Sequence, residues 1–430
     1  MPNVLLVSLN FPPSQIASVH RVRHLAKHLP AFGWHPIVLA VDERLHKEPP
    51  DFDLGRLVPE NVDVRRIGAV PLNLTTPFGL SDLGIRSVFQ LAKAIDRLVA
   101  EARPSIVFFT GSPFYQMLLT SRVRKRHGIP VVLDFQDPWV SKDGATYSKW
   151  SKAGLSHALA VVLEPSAARH AAYFTSVSDI QNAQMAERYP WLDASRMAAI
   201  PIGGDPDDFD ALRANPPAKL HVHLDPTRIN LSYVGTFLPR AGPLMQVLFQ
   251  AVRRLKKVHP ELAAKLRLNF VGTSNQPTHV NDYRIRPLAE AEGIAELVSE
   301  TPQRLPFLEA LRILANSHGL LLIGSDEPHY TASKIYPALM SGRPYVSLFH
   351  RQSSAHDILM AAGGGTSLCF DSPSALSALV EPLKEAIVEL ATQPERFRRA
   401  DPAAYEAFTA RSTAGRFARV FAEVASRSDR

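Results

Sequence analysis

Cysteine is almost absent: Cys369 is the only one among 430 residues. That excludes an internal disulfide framework and a metal site built from several thiolates. Cys369 sits in Thr366-Ser-Leu-Cys-Phe370 and reads as a core residue in a chain from a reducing compartment. Long hydrophobic runs are missing as well, so no segment is expected to cross a bilayer. The opening Met1-Pro-Asn carries no basic leader, and the apolar run behind it, Val4 to Leu9, is short; it does not read as a signal peptide. The loop after that run, Phe11 to Ser18, contains no glycine, so a GxGxxG dinucleotide fingerprint is absent there. Charge of one sign is not in large excess either. The net charge of +7 does not call for nucleic acid. Phosphorylated anionic substrates or an anionic membrane surface fit it equally well. No repeat of fixed period is present, and the 35 prolines are scattered through loops.

What the chain does have is an alternation of short apolar runs with amphipathic segments, the pattern of a parallel α/β fold. Val4–Leu9 is expected to be a strand, broken by Asn10-Phe-Pro-Pro13. Val19, Val22, Leu25, Ala26 and Leu29 then recur at helical spacing as a buried stripe. His20, Arg21, Arg23, His24, Lys27 and His28 fall mostly off that stripe and read as a solvated basic face, with Arg21 singled out. Further strands are expected at 37–41, 62–67, 106–110, from 131, and at 174–178. A second series is expected at 229–234, 266–271, 297–300, 319–324, 345–349 and 366–370. Arg122, Arg124, Lys125, Arg126 and His127 crowd one helix end, where the helix dipole favours positive charge; a membrane role is the alternative. A final amphipathic helix is expected from Ala403 to Ala425. The length exceeds one core. The reading is α/β, with two Rossmann-like doubly wound domains facing a cleft. They span 1–198 and 199–400, and a helix at 401–430 follows.

In such sheets ligands sit at the carboxyl ends of strands. That places Ser14, Gln15 and Arg21 at a cleft edge. Asp134-Phe-Gln-Asp137 ends a Val-Val-Leu strand in two carboxylates that bracket Gln136. Such a pair hydrogen-bonds sugar hydroxyls or works as acid and base, although Asp-Pro also starts turns. In the second half, two strands end in Gly-Thr, at Gly235-Thr236 and Gly272-Thr273, which permits close backbone approach of a ligand. Arg240 follows the first of them, within reach of a phosphate. The most informative stretch is His329-Tyr-Thr-Ala-Ser-Lys-Ile-Tyr-Pro337. Thr331 and Ser333 stand where a helix should begin, and Lys334 adds a point charge suited to a diphosphate.

Five strings in order resemble the GT-B glycosyltransferases, specifically the retaining family-four group. They are Phe11-Pro-Pro13 with Arg21 and Gly33-Trp34; Asp134-Phe-Gln-Asp-Pro-Trp139; Ile200-Pro-Ile-Gly-Gly-Asp205; Tyr233-Val-Gly-Thr236; and Ser333-Lys-Ile-Tyr with Gly342-Arg-Pro344. The resemblance implies a nucleotide sugar, UDP- or GDP-type, as substrate, with no separate cofactor and no metal. It implies Asp137, Lys334 and Arg240 as catalytic residues. Donor contacts would come from Gly235, Thr236, Gly272, Thr273, Leu305, Tyr330, Thr331, Ala332, Ser333 and Lys334. Acceptor contacts would come from Ser14, Gln15, Arg21, Asp134 and Gln136. It also implies a glycan or lipid-linked acceptor, cytoplasmic work at the inner face of the cell membrane with peripheral contact, no nucleic-acid partner, and a last helix packed back on the first domain. Three positions depart from the family pattern: Pro337 replaces a ribose-binding glutamate, Gln136 an arginine, and Ser14-Gln-Ile-Ala17 a glycine-rich loop. A catalytically silent scaffold and a sugar-nucleotide epimerase, which needs acid and base groups, are the competing readings.

Overall fold

The computed structural model describes residues 1–430 other than 142, 149, 275, 277, 328–332 and 429–430. The chain divides into two compact units, 1–202 with 410–430, and 203–409. The divisions fall at 202/203 and 409/410, where the sequence suggested 198/199 and 400/401.

Unit 1 is built on seven parallel strands: β1 (Asn3–Val7), β2 (His35–Val41), β3 (Asp63–Ile67), β4 (Ile106–Gly111), β5 (Val131–Phe135), β6 (Tyr173–Ser176) and β7 (Met197–Ala199). Their order is β3-β2-β1-β4-β5-β6-β7. The chain winds outward from β1 and then restarts at β4 on its other side. The switch point therefore lies between β1 and β4, where open α/β sheets place ligands. Both faces of this sheet are covered, so its strands are apolar throughout. Leu5, Val7, Val107 and Phe109 point into one core, while Val4, Leu6, Ile106 and Phe108 point into the other. That second core is closed by helix Val19–His28 and by the terminal helix Ala410–Ser428. Phe417 and Phe421 pack edge-on against Phe108 at 5.5 and 5.7 Å.

Unit 2 repeats the plan with six parallel strands: β8 (Ile229–Val234), β9 (Leu266–Val271), β10 (Val298–Thr301), β11 (Gly319–Ile323), β12 (Tyr345–His350) and β13 (Gly365–Phe370). The order β10-β9-β8-β11-β12-β13 puts its switch point between β8 and β11.

Three elements outside the unit 2 site differ from the sequence reading. Lys152–Ala168 is a 17-residue helix that the periodicity did not announce, because its outer face is as apolar as its inner one. Asp207–Ala214 is a helix just after Ile200-Pro-Ile-Gly-Gly-Asp205, where no element was expected. The single helix expected over 403–425 is broken: Pro402–Tyr405 forms one turn, and the long helix starts only at Ala410. Between them the Phe408 carbonyl accepts from the Gly204 amide at 3.1 Å, and a parallel bridge joins Gly204 to Thr409. A strand-like pairing there is incompatible with a continuous helix.

Candidate functional site

The switch point of unit 2 holds a cation without a counter-ion among the described residues. Lys334 follows β11 and lies against Tyr233 of β8, its Nζ 4.0 Å from the ring centroid. The ammonium donates to the Tyr233 hydroxyl at 2.5 Å, and that hydroxyl donates to the Thr236 carbonyl at 2.8 Å. Among the described residues no carboxylate pairs with Lys334. Burial pushes the ammonium down to about 7. The side chain keeps some surface, and the ring face and hydroxyl favour the charged form, so both limit that fall.

The backbone beside Lys334 is shaped for close approach. Gly235 has φ +136°, and a Cβ there would lie 3.3 Å from Lys334 Cδ. The ends of the neighbouring strands are level. The Gly235 amide donates to the Val271 carbonyl and the Gly272 amide to that of Thr301, both at 2.8 Å. Arg240, after the same loop, is half exposed and ion-paired with Glu327 at 2.8 Å. The Asp326 N–H donates to the Arg240 carbonyl, which ties the loop after β8 to the loop after β11.

Several expected donor residues do other work. The Thr273 hydroxyl is fully buried and donates to Glu300 at 2.5 Å. Glu300 in turn accepts from the amides of Arg284, Ile285 and Arg286 at the start of helix Arg286–Ala291. Leu305 is buried in an apolar cluster with Val271 and Ile313. The side chains of Thr273 and Leu305 are thus engaged within the unit. The helix expected to begin near Thr331 and Ser333 begins at Ile335 and spans six residues, with Lys334 as its N-cap position. Ser333 precedes it and is exposed. So short a helix has a weak dipole, and the positive field rests on Lys334 itself. Tyr330, Thr331 and Ala332 lie outside the described residues.

Unit 1 corrects the sequence reading more sharply. Arg21 and Asp134, expected at the cleft, are buried against each other with N–O 3.1 Å. The Asp134 carboxylate also accepts from Thr110 and Thr175, both at 2.7 Å. Those three residues are in register across β4, β5 and β6, so their side chains share one face. Arg21 further donates to the carbonyls of Pro201 and Ile200 and lies 5.0 Å from the Phe417 ring centre. Its burial lowers the guanidinium pKa, and Asp134 works against that fall. The pair stitches the first helix, the central strand, the end of the unit's sheet and the terminal helix together. The neighbouring basic residues are not a solvated face either: Arg23, His24 and His28 are buried. Thr110 and Thr175 were not singled out in the sequence, although each is a polar residue ending an apolar strand.

The polar groups left over in unit 1 surround that pair. Gln136 donates to Thr110 Oγ1 at 2.7 Å and to the Ser18 carbonyl at 3.2 Å, while its own Oε1 is buried without a partner among the described residues. The buried Ser14 hydroxyl has no partner among the described residues. Gln15 donates to the Pro49 carbonyl at 3.0 Å. Asp137 is exposed beyond the end of β5 and has no partner among the described residues. Enough protein surrounds it for desolvation to raise its carboxyl, and the open path to water limits that rise.

Similarity to known proteins follows this geometry. Residues 18–203 match the Glycosyl transferase 4-like domain, a segment that ends where unit 1 gives way to unit 2. HepE of Anabaena, solved in complex with UDP and glucose, superposes with TM-score 0.60 over 98% of this chain and 100% of its own, at 13% identity. The fold is GT-B. This GT-B chain also resembles sucrose-phosphate synthase from Thermosynechococcus elongatus, with TM-score 0.60, 15% identity, and 99% and 100% of the two chains covered. A glycosyltransferase from Rickettsia africae gives TM-score 0.57 at 16% identity, covering 98% of each chain. Comparison with curated protein sequences finds no match. No helix among the described residues is long and apolar enough to cross a membrane.

Proposed function

We propose that the protein is a glycosyltransferase that moves a sugar from a UDP- or GDP-type donor to a glycan or lipid-linked acceptor. The observation that carries this is Lys334: a desolvated cation with no counter-ion among the described residues, at the switch point of unit 2, beside a glycine-opened backbone. An unpaired cation in such a place is stabilised by a bound anion, and a departing diphosphate is the anion a sugar donor supplies. Arg240 is close enough in sequence and loop contact to add a second charge once released from Glu327. Unit 1 supplies acceptor contacts through Ser14, Gln136 and Asp137, each with an uncommitted polar atom. In this reading the reaction is metal-independent and retaining. It works on the cytoplasmic face in cell-surface polysaccharide or lipopolysaccharide synthesis. Support comes from the domain match over 18–203 and from neighbours solved with UDP and UDP-glucose.

A second reading rests on Pro337. It lies in helix Ile335–Met340, where the family pattern has a ribose-binding carboxylate, and so brings no such group. On that basis a silent scaffold would bind nucleotide weakly and transfer nothing. A thermal-shift screen of nucleoside diphosphates on wild type and Lys334→Ala separates the two. A ligand at 100 times its Kd adds about 2.7 kcal/mol of stability, and the mutant should lose most of that gain. Sugar transfer abolished by Asp137→Asn with nucleotide binding intact supports the enzyme. Binding without transfer across donors favours the scaffold.

A further inference from the structure

The amino-terminal end of the unit 2 sheet, opposite the end that carries Lys334, holds a cavity of about 260 Å³. One wall is helix Phe307–Asn316, whose Glu309, Arg312, Ile313 and Asn316 are spaced i, i+3, i+4, i+7 and so share a face. Residues 220–224 form a second wall as a strap. Asn230, near the start of β8, and His318, just before β11, close it.

The strap is fastened without any ligand. Glu309 is buried, and its Oε1 accepts from the amides of His221 and Val222 at 2.5 and 2.8 Å. Its Oε2 lies 2.8 Å from His221 Nδ1. Val222 and Leu224 pack on the apolar cluster that contains Ile313. Both walls are therefore set in advance, as in most small-ligand sites.

The lining divides into an apolar part and a set of donors. Leu220, Val222, Leu224 and Ile313 supply the apolar part. Arg312 stands one turn beyond Glu309, yet that carboxylate is committed to the strap. Among the described residues Arg312 makes no ion pair or hydrogen bond. His318 Nδ1 accepts from the Asn230 amide at 3.1 Å, so the ring proton sits on Nε2 and remains to be donated. The exposed Asn316 amide adds further donors. A guanidinium fork matches a carboxylate through two parallel hydrogen bonds. The Glu309 charge on the same helix face opposes a second negative charge on the ligand, which favours a monoanion over a phosphate dianion.

We propose that this cavity binds a small organic acid with one carboxylate on a compact apolar body. Arg312 takes the carboxylate, His318 and Asn316 add donors, and the strap covers the apolar body. Because the site lies at the far end of the strands from Lys334, its ligand does not compete with a diphosphate at the switch point. The proposal rests on these residues and does not depend on the donor reading of unit 2.

Ligand-observed NMR titration of the full chain tests it, with isovalerate and benzoate as probes and isovaleramide and inorganic phosphate as controls. At least one of the two acids should bind saturably, with a Kd on the order of 1 mM. Isovaleramide and phosphate should bind at least about tenfold more weakly. Arg312→Gln should weaken the acid at least about tenfold and Arg312→Lys about threefold, since lysine keeps the charge and loses the fork. Asn316→Trp should abolish binding by filling the cavity from an exposed position. Lys334→Ala should leave the affinity unchanged, which separates this site from the switch point. An unchanged ligand-free melting temperature checks the fold of the Arg312 and Asn316 variants. Absence of saturable binding by either acid overturns the proposal, as does binding indifferent to Arg312→Gln. Amide or phosphate binding as tight as the acid, or loss of acid binding in Lys334→Ala, overturns it too.

Discussion

The two switch points of this molecule are built alike and used differently. Each lies between the first strand of its unit and the strand that restarts the winding, and each holds a cation from a loop or helix that follows one of those strands. In unit 1 the cation, Arg21, meets Asp134, two backbone carbonyls and an aromatic ring, so its charge is fully answered inside the protein. In unit 2 the cation, Lys334, meets a tyrosine hydroxyl and ring face and no acid among the described residues. Compensation, rather than charge or position, separates a structural ion from a binding one. A closed ion pair has no field left for a ligand, while a desolvated lone ammonium gains most of its stabilisation when an anion arrives.

Substitutions that remove one partner sharpen this contrast. The largest effect is expected for Asp134→Ala, which strands Arg21 and two threonine hydroxyls in the core and should destabilise unit 1 by about 3–5 kcal/mol, read as a fall in its melting temperature. Lys334→Met should shift stability the other way, raising the melting temperature of the ligand-free protein at pH 6 by roughly 1–2 kcal/mol equivalent, because a desolvated charge disappears. If both substitutions destabilise alike, the two sites are the same kind of site. The pH dependence has a definite sign. The unfolded chain keeps its Lys334 proton up to the ordinary lysine range, whereas the folded one releases it near 7. Between those values the unfolded state binds more protons, so ligand-free stability should rise with pH. Diphosphate binding favours the ammonium, so its affinity should fall above pH 7 by up to about tenfold per pH unit, a slope that Lys334→Met should abolish in calorimetry. The smallest effect is expected for Tyr233→Phe. Loss of one hydrogen bond on each side of the hydroxyl should cost about 1 kcal/mol in stability and weaken diphosphate binding several-fold without removing the pH slope.

Most of the architecture was legible from periodicity. Strands such as Ile229–Val234 and Leu266–Val271 coincide with their expected bounds, because strands buried on both faces leave uninterrupted apolar runs. Helix Lys152–Ala168 was not legible for the opposite reason: a helix apolar on both sides has no period to detect. Lys334 stood out as a lysine in a phosphate-like context. The local string held nothing to separate it from Arg21, which has an equally suggestive setting.

Composition and pattern by themselves determined the two parallel sheets, the absence of a disulfide framework and the short list of ionisable residues at strand ends. These follow from solvent exclusion and side-chain period, which are local properties of a chain. Only the tertiary structure decided which of those residues are answered. Arg21 finds Asp134 113 positions away, and Thr273 finds Glu300 27 positions away. Lys334 reaches across 101 positions to Tyr233 and finds no acid among the described residues. A charge's partner is chosen by which strands lie side by side, and that order is a property of the folded sheet.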